Sequence, residues 1–187
     1  TDRINEIDGR HLAPSDNIHI VWNAVSPGYF STISTPILSG RDFDERDSLS
    51  AQKAVIVNES LAKDAFPGQN PVGHRIGLST IVGVAKDAHY NGVRDQPRPV
   101  LYHPLFQYGP EQPFKWGFVS FELRYRTEHN LPDSIRREVA SVDRNLPIFL
   151  MKTLQRQSEQ SLLKERLLAM LSSFFGMLAL LLAAVGL

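Results

Sequence analysis

Residues 54–76 read AVIVNESLAKDAFPGQNPVGHRI, and the succession of residue types in them decides how the chain folds. Ala54 to Val57 form an uncharged apolar run, the composition of a strand covered on both faces. Asn58 comes directly after it, with a side-chain oxygen suited to accept the free N–H groups at a helix start. Leu61, Ala62, Ala65 and Phe66 then recur three and four apart, which gives the predicted helix one apolar face. Pro67-Gly68 stops that helix, and Pro71, Gly73 and Gly77 punctuate the chain beyond it. The next apolar run, TIVGVAKDAHY from Thr80, reads as a second buried strand in which Gly83 marks a bulge or a close approach of another backbone. Taken with the strands and helices read on either side, these elements place the expected fold in the α+β class.

Working outward toward the N-terminus, Arg41 to Lys53 is a loop rich in charge and Ser, and Ile37-Leu38 opens a strand just ahead of it. Ser26-Pro27 supplies an N-cap and a first-turn proline for a short helix carrying Tyr29, Phe30 and Ile33, ended by Pro36. IHIVWNAV, residues 18–25, has strand composition. Residues 1–17 are polar without a sustained period and read as a lead-in.

On the other side, 91–115 holds five Pro and two Gly, so extended chain with one short strand, VLYHPLF, is expected there. In GFVSFELRYR, Val119, Phe121, Leu123 and Tyr125 alternate with Ser120, Glu122, Arg124 and Arg126, the pattern of a half-buried strand. Pro132-Asp133 then open a helix whose Leu131, Ile135, Val139, Val142 and Leu146 follow the helical period, closed by Pro147. IFLM (148–151) reads as a further strand. Strand, helix and Thr35-Pro36-Ile37-Leu38 in the first third echo strand, helix and Leu146-Pro147-Ile148-Phe149 in the last. Two strand-helix-strand units pairing into one sheet, with a Pro/Gly-rich lobe inserted between them, are the expected architecture.

The composition splits the chain in two. Of the 21 residues 167–187, 17 are apolar, two are Gly, two are Ser and none is charged, so all 40 charged residues lie before them. At about 1.5 Å per residue such a helix matches a bilayer core of about 30 Å, and a single crossing is expected. Residues 154–166, with Leu154, Leu162, Leu163 and Arg166, connect to it without a breaker, giving a continuous helix of about 50 Å. The chain begins with Thr1 and stops directly after the apolar run, as expected of a piece of a longer protein. The predicted division is therefore a body at 1–153, a juxtamembrane helix at 154–166 and a first transmembrane helix at 167–187.

Several function classes fall away. Twenty basic and twenty acidic side chains balance, with no basic stripe to neutralise phosphates, so no nucleic-acid partner is expected. Without Cys there is no thiol nucleophile and no disulfide. The six His occur in no HExxH or His-x-His spacing, and DFDERD (42–47) lacks the Gly and Glu that a calcium loop needs at its sixth and twelfth positions, so no metal site is expected. Neither GxSxG, GxxxxGK nor GxGxxG occurs, and no catalytic or cofactor-binding residue is nominated.

SPGYFSTISTPILSGRDF, AVIVNESLAKDAFPGQNPVGHRI, TIVGVAKDA, PRPVLYHP and KERLLAMLSSFFGMLALLLAAVGL together resemble the MacB-like periplasmic core domain running into an FtsX-like permease domain, of the duplicated orphan permease type. The resemblance spans about Val25 to Leu187. Its motif residues are Pro27, Gly28, Tyr29, Phe30, Gly40, Arg41, Phe43, Asn58, Glu59, Phe66, Pro67, Gly68, Pro71 and Gly73, with Ile76 at the family's spacing. It implies a permease subunit of an ABC transporter in the bacterial inner membrane, with residues 1–166 extracytoplasmic. It further implies membrane lipid, a separate ATPase subunit that carries the ATP, and a second permease half or copy as partners. Transport rather than catalysis is then the expected role, with Leu154, Leu162, Leu163 and Arg166 on a helix that couples membrane motion to the outer body. Lys164 and Arg166, offset by Glu165, would by themselves put the body in the cytoplasm; the resemblance implies the opposite. The chain departs from the family in its short middle lobe and in HYNGVRDQ (89–96). The alternatives are a single-span anchored binding or sensing domain without transport, and an anchored hydrolase. Further apolar stretches after residue 187 would favour the permease.

Overall fold

The structure is a computed structural model that describes residues 2–88, 97–108, 119–125, 130–153, 170–177, 179–181 and 183–186. The chain divides into two compact units, one formed by 1–88 with 96–124 and the other by 89–95 with 125–187.

The first unit is built on strands β1 (Asp2–Ile4), β2 (Glu6–Ile7), β3 (Arg10–His11), β4 (Ile18–Val25), β5 (Ile37–Gly40), β6 (Ala54–Asn58), β7 (Arg75–Ile76), β8 (Ser79–Ala85) and β9 (Val100–Pro104). Helix α1 (Tyr29–Thr32) joins β4 to β5, and α2 (Glu59–Ala65) follows β6. The strand order is β1-β4-β9-β6-β8-β7-β2-β3, with β5 pairing β8. β6 runs parallel to β8 and antiparallel to β9, while β4 runs parallel to β9.

The two ends of this ladder meet in the sequence. β1 pairs β4 at one end, β2 pairs β7 at the other, and only Asn5 separates them. One residue of chain spans at most about 7 Å between its neighbours' Cα atoms, so the sheet curls back on itself and the N-terminal stretch is its seam.

β6 supplies the centre. Every one of its residues is buried, because its two faces serve two cores. Val55 and Val57 face Leu61, Phe66, Ile76, Ile81, Val84 and Leu101, a cluster built around α2 and completed by Ile4 and Ile20. Ala54 and Ile56 face Val25, Phe30, Phe43, Ala85, Val100 and Tyr102, built around α1. Ile4, Ile7 and Leu12 join the α2 cluster from opposite ends of the strand order, as a curled sheet requires.

The lead-in reading of 1–17 is overturned: this stretch holds three strands. Asp8 and Gly9 both have positive φ, 51° and 76°, between β2 and β3, the two-residue turn that twists with its strands. Asp-Gly was its sequence signal. The described part of the Pro-rich middle, 97–108, is no separate lobe either, since β9 lies between β4 and β6 in the sheet. α1 is a single turn whose cap is Gly28 at φ 80°, not Ser26. Ser31 and Thr32 hydroxyls donate to the Gly28 carbonyl, which fixes that turn.

The predicted pairing of two strand-helix-strand units is overturned as well. β4-α1-β5 forms, but β4 and β5 pair with other strands rather than with each other. In the second, α3 (Leu131–Val142) forms, yet Val119–Tyr125 and Ile148–Met151 are exposed and are not strands. Alternation chooses the faces of side chains, but a strand exists only where a neighbour satisfies its backbone, and among the described residues neither segment has a ladder partner. α3 also ends before Leu146, because the Asp143 carboxylate accepts the Asn145 N–H at 2.8 Å and turns the chain.

The backbone is helical at 170–177, 179–181 and 183–185, with exposed Met170, Leu171, Phe174, Phe175, Leu180 and Leu181. Among the described residues no helix is long and apolar enough to cross a membrane. The expected transmembrane helix at 167–187 is described only in these pieces.

Candidate functional site

The C-terminal ends of β6 and β8 lie side by side, Asn58 opposite Ala85, and α2 starts immediately beyond. The ends of parallel strands are where α/β folds commonly present a ligand. Here the chain fills that place itself. Asn58, 1% exposed, accepts the Leu61 N–H at 3.1 Å and the Val100 N–H at 2.8 Å, and donates to Asp87 Oδ1 at 2.6 Å and the Arg98 carbonyl at 2.8 Å. All four hydrogen-bonding capacities of its amide are used. The Asp87 carboxylate also accepts the Ser60 N–H at 3.1 Å and the Ser60 hydroxyl at 2.7 Å, and the Asp87 N–H donates to Glu59 at 3.1 Å. Of the first N–H groups of α2, which in other crossovers receive a phosphate, that of Ser60 is met by the chain's own Asp87 carboxylate and that of Leu61 by the Asn58 amide oxygen. One amide thus ties together β6, α2, the end of β8 and the start of β9.

A second junction surrounds Gly40 and Arg41. Gly40 stands opposite Gly83 in the β5–β8 pair. A Cβ on Gly40 would strike the Val82 carbonyl and the Gly83 backbone, and one on Gly83 would strike the Arg41 carbonyl, so both positions need glycine for backbone approach. β8 also bulges here, since Val55 pairs Ile81 whereas Ile56 pairs Gly83. Both readings of Gly83 hold.

The Arg41 guanidinium grips Asp47 with two hydrogen bonds, Nη1 to Oδ2 at 2.7 Å and Nη2 to Oδ1 at 2.8 Å. Asp47 is 5% exposed. Burial pushes its carboxyl up, but the Arg41 fork and the Asp44 N–H outweigh it and hold it below the usual range. Asp47 in turn raises the Arg41 pKa through the same hydrogen bonds. Hydrogen bonds from Arg46 depress Asp44 strongly, and burial raises Asp42, whose carboxylate accepts the Phe43 N–H at 2.7 Å. The acidic run is a loop folded around Arg41, with Phe43 in the core as its anchor.

The remaining motif residues are packing elements. Phe30 meets Tyr102 edge to face at 4.9 Å between centroids, with Tyr29 beside both. Pro27 and Gly28 form the turn into α1. Phe66 is buried and Pro67-Gly68 turn the chain out of α2. Pro71 is buried, and the Gly73 N–H donates to the Ile81 carbonyl at 2.9 Å. The structure therefore spreads the motif over two junctions of one sheet and the turns around α1 and α2 instead of gathering it into a cleft. Leu154, Leu162, Leu163 and Arg166 lie outside the described residues.

Sequence reasoning missed Asp47, Ser60 and Asp87, and it missed a polar-aromatic cluster at the end of β9. There the Tyr108 hydroxyl and His103 Nδ1 are 2.7 Å apart, and Trp22 lies 4.9 Å from the His103 ring. The Lys53 ammonium donates to the Gln107 carbonyl at 2.7 Å, while buried Gln107 accepts the Ala54 N–H and donates to the Gln52 carbonyl. Burial, then the Lys53 charge, lowers His103 to about 4, and burial raises Tyr108 to about 12. His103 is thus neutral at neutral pH, joined to the Tyr108 hydroxyl through Nδ1, while its Nε2 is buried without a hydrogen-bond partner among the described residues.

This is a mixed α/β domain whose polar groups bind its own strands together. Residues 5–140 match the family model of the MacB-like periplasmic core domain. The chain belongs to that family. It is 31% identical over 68 residues to the uncharacterized ABC transporter permease YknZ of Bacillus subtilis (strain 168), covering 34% of this chain and 17% of that protein. Among solved structures, it is similar to the periplasmic region of MacB from Actinobacillus actinomycetemcomitans, at 22% identity and TM-score 0.38, over 55% of this chain and 43% of that one. It is also similar to the extracellular domain of the ABC-type transporter YknZ from Gram-positive bacteria, at 20% identity and TM-score 0.35, over 48% and 44% respectively. The chain spans less than half the length of each of these relatives.

Proposed function

We propose that this chain is the extracytoplasmic part of an ABC transporter permease subunit, which couples ATP-driven motion in the membrane to export or efflux of a substrate. The observation that carries the reading is the family match over 5–140 followed by the uncharged apolar run 167–187. The filled junction at Asn58 and Asp87 agrees with it, because a body meant to pass on displacement gains from strands tied to one another. On this reading 167–187 is the first span of an FtsX-like permease domain in the bacterial inner membrane. Residues 154–166 are then the strut between that span and the body. ATP belongs to a separate ATPase subunit, a second permease half or copy completes the path, and the chain itself performs no catalysis.

Two experiments test this. Alkaline phosphatase, which needs disulfides formed outside the cytoplasm, should be active when fused after Ala88 in the membrane-inserted protein; an inactive fusion, with a cytosolic reporter active at the same site, refutes the placement. A Gly-Pro insertion beside Ser158 should abolish transport and leave ATP hydrolysis measurable, and unchanged transport refutes the strut.

A further inference from the structure

Ile7 of the β2–β3 hairpin packs against the α2 core, but the hairpin's backbone is joined to β7 by few bonds. Its ladder contact with β7 is the single pair Ile7–Ile76, supported by Asp8 N–H to the Arg75 carbonyl at 3.0 Å and Gly77 N–H to the Glu6 carbonyl at 3.2 Å. The tip residue Asp8 adds a side-chain grip. Its Oδ1 accepts the Arg75 N–H at 2.8 Å, and its Oδ2 lies 2.7 Å from His74 Nδ1. Asp8 and His74 are both partly exposed, so protons exchange freely with solvent. The His74 ring also lies against the Phe66 ring at the end of α2, 5.1 Å between centroids, which limits the directions it can take.

We propose that this is an acid-strengthened latch: protonation of His74 tightens its grip on the Asp8 carboxylate and holds the β2–β3 hairpin against β7. The Arg75 N–H first, and His74 second, keep the Asp8 carboxyl below its usual range, so it stays anionic in mildly acidic water. Imidazole gains its proton between neutral and mildly acidic pH. Neutral His74 offers Asp8 a hydrogen bond alone, and the cation adds attraction across the same 2.7 Å. Other charges near the latch are Arg75 on its own side and Glu6, Arg10 and His11 on the hairpin. His11 is 3.8 Å from Glu6 within the hairpin, so that second pair stiffens the hairpin without tying it to β7. The latch stands independently of the transport reading.

Amide hydrogen exchange on the whole chain in mild detergent tests it, with rates corrected for the intrinsic pH dependence. Protection at Asp8 and Gly77, relative to Ile56 in β6, should rise about threefold from pH 8 to pH 5.5, the size expected of a half-exposed ion pair. His74→Gln and Asp8→Asn should each remove the rise, and Asn keeps the positive φ of the turn. His11→Gln should retain it. A flat wild-type ratio, a rise that survives His74→Gln, or one that disappears in His11→Gln overturns the latch.

Discussion

Replacing Asn58 tests the central junction. Asn58→Ala removes the cap of α2 and leaves the Leu61 and Val100 N–H groups, on residues 0% and 3% exposed, without the oxygen that accepts both. A lost cap costs about 1 kcal/mol, and a buried unpaired N–H about 1–3 kcal/mol. The Arg98 carbonyl is on an exposed residue and can turn to water, so it adds little. The total is about 2–4 kcal/mol. Asn58→Asp behaves differently. It keeps both accepting contacts but replaces the donor 2.6 Å from Asp87 Oδ1 with a second carboxylate. Two carboxylates at that distance share a proton, so the folded state binds more protons than the unfolded one above about pH 4, and stability falls as pH rises. Measured by urea titration of tryptophan fluorescence against wild type at each pH, the Asp variant should lose least near pH 4.5 and most near pH 7, while the Ala deficit stays level. An Asp variant whose deficit does not grow with pH, or an Ala variant within about 0.5 kcal/mol of wild type, the range of a neutral surface change, refutes the tie.

Three further outcomes are expected. Gly83→Ala drives a methyl into the Arg41 carbonyl and should cost about 1–3 kcal/mol by parting β5 from β8, read as faster exchange of the Arg41 amide than of Ile56. Arg41→Lys loses the two-pronged grip on Asp47, and Arg41→Ala leaves that carboxylate buried without its cation; the Ala variant should be the less stable, with unfolding midpoints deciding the order. His103, lowered to about 4 when folded, is charged more readily in the unfolded chain, so it contributes a loss of stability as pH falls from about 6.5 to 4, about 2–3 kcal/mol in all. His103→Gln should remove that part of the acid sensitivity, seen in unfolding midpoints at pH 7 and pH 4.5.

What could be read ahead of the structure was local chemistry. β6, the Asn58 cap, the end of α2 at Pro67 and the glycine at the bulge all follow from residues within a few positions of one another. Pairing is a property of distant segments, and it went astray. Val119 to Tyr125 alternates more regularly than β9, yet β9 is the strand that enters the sheet, because β4 and β6 flank it. The three strands of the first eleven residues carry too few apolar side chains to show a period, and only Asp8-Gly9 signalled them. Asn58 was legible as a cap, but its bonds to Val100 and Arg98 join residues 40 and more positions away. Asp87 was invisible for the same reason, and Asp47, though only six positions from Arg41, stood among other acidic residues of one loop with nothing local to mark which of them the guanidinium takes.

The seam at Asn5 determines how the unit would bear a load. Asp2–Ile4 and Glu6–Ile7 are neighbours in sequence but are stitched to strands from opposite ends of the ladder. Tension applied at Thr1 is therefore taken first by the three residue pairs that join β1 to β4, before it reaches α2 or β6. These pairs would act as a mechanical fuse: peeling them unfastens the hoop and draws Ile4 out of the α2 core, while the α1 core on the other face of β6 keeps all its members.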